Sequence, residues 1–177
     1  SAGIVAPSTE FIVSDGEPTQ ALPLGEEGEL CIRGPQVMQG YLNRPDATSE
    51  SMLAGGFLRT GDLARLDDKG TVWIGDRVKE LIKVKGFQVA PAELEGLLLE
   101  IPEVADACVV GVADERAGEV PKAFVVRAAG SSIDVEALQG HLHPKLADFK
   151  HPQFYEFVDT IPKSASGKIL RRLLRKQ

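Results

Sequence analysis

The sequence predicts an α+β protein in two parts, a β-rich stretch over residues 1–76 and a smaller α+β stretch over residues 77–177. Three observations carry this. Up to Gly75 the apolar residues fall in short alternating runs separated by Gly, Pro, Asn and Asp, as in strands and turns. After Asp76, apolar residues recur at i, i+3, i+4 and i+7, the spacing of one buried helix face. Between those helical runs stand two strongly apolar segments of strand length, Ala107–Val112 and Lys122–Arg127.

In order along the chain, Thr9–Val13 and Glu29–Arg33 read as strands, the second bounded by Gly28 and Gly34-Pro35. A turn at Asn43–Asp46 precedes a short helix expected over Ser49–Ala54. Phe57–Thr60 and Leu63–Leu66 flank Gly61-Asp62, Asp67–Gly70 reads as a hairpin turn, and Thr71–Ile74 is the return strand. Leu81–Val84 is a strand candidate. Pro91 opens a helix with Glu93 and Glu95 in its first turn, where the helix dipole favours negative charge. Leu94, Leu97, Leu98 and Ile101 form its apolar face, and Pro102 stops it. Val135, Leu138, Leu142 and Leu146 share a face of a second helix that Pro144 interrupts. Phe154–Val158 reads as a strand and Lys168–Lys176 as a terminal amphipathic helix.

Composition bounds the function. The chain is 43% hydrophobic and 26% charged, the balance of a soluble globular protein. A net charge of -6 argues against nucleic acid or an anionic membrane as the main partner. No apolar run approaches the ~18 residues that a membrane span needs, and a cytoplasmic setting fits. Cys31 and Cys108 are far apart in apolar runs and read as two buried thiols. His141, His143 and His151 read as surface residues, and no group of residues shows metal-site spacing. Ser1 lacks the character of a start, so the chain reads as a piece of a longer protein.

Three segments carry candidate chemistry. In Gly56–Asp62 (Gly-Phe-Leu-Arg-Thr-Gly-Asp), an aspartate after a glycine is ordinarily a turn residue. Yet a carboxylate is also suited to accept the hydroxyls of a ribose diol. In Gly75–Gln88, Arg77, Lys79, Lys83 and Lys85 crowd four cations into an acidic protein. The three lysines have the spacing to share one side of an extended strand, serving phosphates or protecting an edge from aggregation. Ile161–Ile169 (Ile-Pro-Lys-Ser-Ala-Ser-Gly-Lys-Ile) has a partial likeness to a phosphate-binding P-loop but lacks its first glycine and its Ser/Thr. It reads as a mobile Ser/Gly turn presenting Lys168.

Together, and in this order, these pieces resemble the adenylate-forming superfamily of acyl-CoA synthetases, 4-coumarate–CoA ligases and firefly luciferase. Gly28–Gly34 and Gly40–Pro45 look like the family's strand and following turn, and Arg59-Thr-Gly-Asp62 like its ribose-binding motif. Gly75–Gln88 with Pro91–Glu95 looks like its hinge and first lid helix, and Pro162–Lys168 like its catalytic loop. The Asp-Arg-x-Lys-Glu-Leu-Ile-Lys-x-Lys-Gly-Phe-Gln hinge is similar to that of the coumarate-ligase and fatty-acyl branch. That favours coenzyme A over a carrier protein as acyl acceptor.

The resemblance implies that residues 1–76 end the large N-terminal domain and residues 77–177 form the small mobile lid, hinged near Lys79. It implies ATP, Mg2+ and a carboxylic acid as reaction partners, with coenzyme A as second substrate. The metal and the acid would be bound mainly by the rest of the N-terminal domain, which lies upstream. Lys168 would act in adenylate formation, Asp62 and Arg77 at the nucleotide, and Lys83 and Gln88 in catalysis. Lys85 and Gly86 would lie along coenzyme A. The alternatives are an adenylation domain loading a carrier protein, a luciferase-like oxidase, or a non-catalytic binding or structural module.

Overall fold

The computed structural model describes residues 1–15 and 20–175. The chain divides into two compact units, Ser1–Lys79 and Glu80–Gln177. The division falls three residues beyond the expected 76/77 boundary, because the last strand of the first unit runs on to Arg77.

The first unit holds β1 (Gly3–Ile4), β2 (Glu10–Ser14), β3 (Glu27–Arg33), α1 (Pro45–Ser51), β4 (Leu58–Leu66) and β5 (Thr71–Arg77). The strands form one antiparallel sheet in the order β1-β5-β4-β3-β2. Leu30, Ala64 and Val72 pack together as its core, with Phe11, Ile32 and Leu66 against them. Two expectations need correction. The runs on either side of Gly61-Asp62 are one strand, β4, which passes through the pair with register shifts against both neighbours, a β-bulge. The short helix lies at Pro45–Ser51 rather than Ser49–Ala54. Proline's fixed φ suits the first helical position, where no N–H is needed, so Pro45 starts a helix at the place read as a turn.

The expected hairpin turn is present. Asp67 Oδ1 accepts from the Lys69 N–H at 3.0 Å and the Thr71 N–H at 2.8 Å, and the Gly70 N–H donates to the Asp67 carbonyl at 3.0 Å. Trp73 Nε1 donates to Asp67 Oδ2 at 3.0 Å, which holds the Asp67 carboxyl below its ordinary value.

The second unit holds β6 (Ile82–Val84), β7 (Phe87–Val89), α2 (Pro91–Leu99), β8 (Val104–Asp114), β9 (Gly118–Arg127), α3 (Val135–Leu142), β10 (Phe154–Phe157) and α4 (Arg171–Leu174). β8 and β9 form a long antiparallel hairpin. The other edge of β9 is shared between β6, paired at Val84↔Gly118, and β10, which runs parallel to it from Phe154↔Lys122. Leu94 and Leu98 of α2 and Leu138 and Leu142 of α3 are fully buried in one cluster with Val109, Ala123 and Val125. Cys108, Val110 and Phe124 point the opposite way, where Ile161 and Leu174 cover them. Burial on both faces explains why these strands read as continuous apolar runs without alternation. Asp134 caps α3 by accepting from the Ala137 N–H at 2.9 Å. Pro144 ends the helix, and a single 3₁₀ turn, His143–Lys145, carries the chain on so that Leu146 still reaches the core.

The terminal helix is shorter than expected, because Lys168 and Ile169 are held extended: Lys163 bridges Ile169 and the Ser164 N–H donates to the Lys168 carbonyl at 2.8 Å. Lys176 lies outside the described residues. Cys31 and Cys108 are both free and buried. Among the described residues no helix is long and apolar enough to cross a membrane.

Candidate active-site residues

In the first unit the bulge of β4 is built on Glu29, a buried carboxylate from β3. It accepts from Arg59 Nε at 2.9 Å, from Arg59 Nη2 at 2.6 Å and from the Gly61 N–H at 3.1 Å. The hydrogen bond to Glu29 raises the pKa of Arg59. Thr60 completes the frame: its hydroxyl donates to the Leu30 carbonyl at 2.8 Å and accepts from the Asp62 N–H at 3.1 Å. Gly61 sits at φ +72°, a left-handed conformation open to glycine at little cost.

This frame sets Asp62 beside its cross-strand partner Arg77, with Arg77 Nε 3.0 Å from Asp62 Oδ1 and the carboxylate still 28% exposed. A rigidly held, partly exposed carboxylate with a guanidinium at one oxygen can accept the hydroxyls of a vicinal diol while the cation faces a phosphate. Glu29 was not singled out from the sequence. Its signal is a lone charge inside Gly28-Glu-Leu-Cys-Ile, which has to find a partner once the strand is buried.

In the second unit, β6 and β7 form a tight hairpin. Val84 pairs with Phe87, and the two turn residues Lys85 and Gly86 both have positive φ, +50° and +86°. That is the backbone of a two-residue turn matched to strand twist. Lys83 stands directly opposite Gln88, both exposed on the outer face, while Ile82, Val84 and Val89 point into the core. The expected alignment of Lys79, Lys83 and Lys85 along one strand is not what forms. Lys79 lies in a 3₁₀ turn, Val78–Glu80, and Lys85 occupies the hairpin turn, leaving Lys83 alone on the strand.

Backbone contacts fasten the hairpin to β9 and the loop before it: the Lys83 N–H donates to Glu119 Oε2 at 2.9 Å and the Lys85 N–H to the Ala117 carbonyl at 2.8 Å. Beside the turn is a groove of about 560 Å³ whose walls include Lys85, Arg116, Val120, Phe149 and Phe154. Phe87 stacks on Phe149 with ring centroids 4.6 Å apart. The apolar walls are flanked by two cations, Lys85 and Arg116, and by two carboxylates, Asp114 and Asp148, so the groove suits the apolar stretch of a long ligand.

The segment Pro162–Lys168 closes on itself. The Lys168 N–H donates to Ser164 Oγ at 3.1 Å, and the Gly167 N–H to the Ser164 carbonyl at 2.9 Å. Lys168 is exposed and has no ion-pair partner among the described residues, whereas Lys163 is tied to Asp106 at 2.5 Å. The structure therefore pairs Asp62 with Arg77, pairs Lys83 with Gln88, places Lys85 and Gly86 in one turn, and leaves Lys168 on a loop of its own. Of the histidines, His143 stacks on His151 at 4.0 Å, and His141 lies 3.3 Å from Glu100. His141 and His151 are only partly exposed, so the reading of all three as simple surface residues is too coarse.

The family model of the AMP-binding enzyme C-terminal domain matches residues 93–168, and that of the AMP-binding enzyme matches residues 1–42. The chain belongs to the adenylate-forming superfamily of AMP-binding enzymes. It is 49% identical over 99% of its length to 4-coumarate–CoA ligase 2 of Nicotiana tabacum, covering 32% of that protein. Among solved structures it is similar to ATP-bound MatB of Rhodopseudomonas palustris, with TM-score 0.93, 36% identity, and 98% of this chain against 35% of that one covered. It is similar also to the o-succinylbenzoate–CoA synthetase MenE of Bacillus subtilis in complex with its acyl-adenylate intermediate. There the TM-score is 0.86 at 36% identity, covering 95% of this chain and 34% of the other. The chain thus spans about a third of the length of these relatives.

Proposed function

We propose that this chain is the C-terminal portion of an ATP-dependent acyl-CoA synthetase. The carboxylate of an acid attacks the α-phosphate of ATP, forming an acyl-adenylate and releasing pyrophosphate. The thiol of coenzyme A, losing its proton, then attacks the acyl carbonyl, and AMP leaves. The observation that carries this reading is the Asp62–Arg77 pair, 3.0 Å apart and framed by buried Glu29, which suits a ribose beside a phosphate. Its similarity to 4-coumarate–CoA ligases supports coenzyme A as the acyl acceptor.

In this reading Asp62 accepts the ribose hydroxyls and Arg77 stands at the ribose–phosphate end. Lys168, exposed on its loop and without an ion-pair partner among the described residues, offers a cation to the charge that develops between the acid and the α-phosphate. Lys83 and Gln88 act from one face of the hairpin in the second step. The pantetheine arm passes Gly86, where no side chain intervenes, and runs towards the groove that Lys85 and Arg116 share with Asp114 and Asp148. Lys79 is the pivot by which one lid serves both steps in turn. Among the described residues no three His, Cys, Asp or Glu side chains come together to hold a metal.

The test is single-turnover kinetics of the full-length ligase carrying Lys168→Ala. Adenylate formation should fall by about 10²–10³-fold, the loss typical of one oriented donor. Thioester formation from supplied acyl-adenylate should persist. An equal loss in both half-reactions would defeat the assignment.

A further inference from the structure

Arg171 opens α4 three residues after Lys168, with a side chain only 13% exposed. A buried guanidinium needs acceptors for its donors, and it finds them in two separate parts of the second unit. Its Nη1 donates to Glu80 Oε2 at 2.7 Å, and its Nη2 to both oxygens of Glu95, at 2.8 and 2.7 Å. Glu95 Oε1 in turn accepts the Val109 N–H of β8 at 2.8 Å. Burial works to discharge the arginine, but Glu95 and Glu80 outweigh it and its pKa is raised. Its Nε–H, buried, meets no acceptor among the described residues. That is what a fork aimed at two carboxylates at once leaves over.

Such a triad is a weak source of stability, since apolar side chains of the same size often do as well. What it does supply is position. The hydrogen bonds inside Ser164–Lys168 shape the loop without saying where the loop sits. Among the described residues its anchors to the rest of the unit include Ile161, Ile169 and Leu174 in the core cluster, the Lys163–Asp106 pair, and Arg171. Of these, Arg171 alone reaches Glu80, the residue that directly follows Lys79.

We propose that Arg171 is a positioning residue for Lys168. Through Glu80 and Glu95 it registers the lysine loop to the chain segment at which the second unit begins, so that the seat of Lys168 is referred to the pivot. This rests on the acyl-CoA synthetase reading. It predicts that loosening the triad harms the step that uses Lys168 and spares the step that uses the β6–β7 hairpin.

Two conservative variants test it, Arg171→Lys, which keeps the charge and loses the fork, and Glu80→Gln, at the more exposed end of the triad. In the 177-residue chain, hydrogen exchange is followed at the bonded amides of Ser164, Gly167, Lys168 and Leu170. Both variants should speed these by about tenfold or more, as in a local opening, with Cys108, Val110 and Phe124 unchanged. The double variant should be no worse than the stronger single one, the signature of residues acting through one interaction. Unchanged loop amides, or an equal acceleration across the whole unit, would overturn the proposal.

In the full-length ligase, Arg171→Lys should lower kcat for adenylation at an unchanged KM for ATP and acid. It should leave thioester formation from acyl-adenylate at the wild-type rate. Lys168→Ala is the reference. If it splits the half-reactions and Arg171→Lys does not, the positioning role fails while the ligase reading stands. If Lys168→Ala itself gives no split, the ligase assignment of Lys168 falls, and the positioning role falls with it.

Discussion

Replacing Glu29 by glutamine removes one oxygen's charge and little volume from the frame under Asp62. In the native strand the Glu29 carboxylate, 9% exposed, takes three donors: two from Arg59 and the Gly61 N–H. An amide keeps one acceptor and turns the other into a donor, so either the Gly61 N–H or the arginine loses its acceptor. A buried N–H left unmet costs about 1–3 kcal/mol. Arg59 is 36% exposed, so water replaces part of what it loses, and that share is held to about 0.5–1 kcal/mol. Whichever donor goes unmet, the cost to the first unit is about 0.5–3 kcal/mol, or a fall in Tm of about 2–20 °C at the sensitivity of a domain this small.

The assay is thermal or urea unfolding followed by tryptophan fluorescence. Trp73 is the chain's one tryptophan and lies in β5, so the signal follows Ser1–Lys79 rather than both units. A shift under about 2 °C, below what a single weak bond gives, would show that the bulge does not depend on this charge.

Lys79→Pro fixes φ near −65° at the proposed pivot; single-turnover kinetics of the full-length ligase should show adenylation largely kept and thioester formation steeply reduced, and wild-type rates in both would remove Lys79 from the mechanism. Tyr155→Phe removes a buried hydroxyl that has no partner among the described residues and whose pKa burial pushes up to about 12. Urea unfolding should show no loss, or a gain of up to ~1 kcal/mol, because an unmet polar group is discarded. Burial likewise pushes Cys108 from 9.0 to about 12. Its thiol is neutral in both folded and unfolded chains below pH 9, but above it the unfolded thiol ionises first. Stability should therefore fall as pH rises from about 9 towards 12. Cys108→Ala should flatten that alkaline slope in denaturation followed by circular dichroism, and an unchanged slope would count against the burial assigned to the thiol.

What was legible in the sequence is what depends on neighbours along the chain. The face of α2 could be read because Leu94 and Leu98, four residues apart, are both fully buried. The Asp67–Gly70 turn could be read because Asp67 bonds residues two and four further on. Gly61 misled because a left-handed glycine looks the same in a turn and in a bulge; only the pairing of β4 with β3 and β5 tells them apart. β7 escaped notice because it is three residues long and turns Phe87 and Gln88 outward. The order of the motifs carried the candidate site residues, while the frames that hold them did not show. Glu29 meets Arg59 across 30 positions, and Glu80 meets Arg171 across 91. No local spacing encodes such partners.

The β6–β7 hairpin has a division of labour with a practical consequence. Its inward residues Ile82, Val84 and Val89 belong to the core, while Lys83, Lys85, Phe87 and Gln88 are exposed. The ladder to β9 passes through a single pair, Val84↔Gly118. The exposed side chains can therefore be rewritten from one ligase to another without disturbing the long β8–β9 platform. On the proposed reading, in which this hairpin meets the acyl acceptor, acceptor preference would be a trait that can be grafted, transplanted as a handful of letters on a fixed stem, and a lineage would change the molecule its adenylate is handed to while keeping its fold.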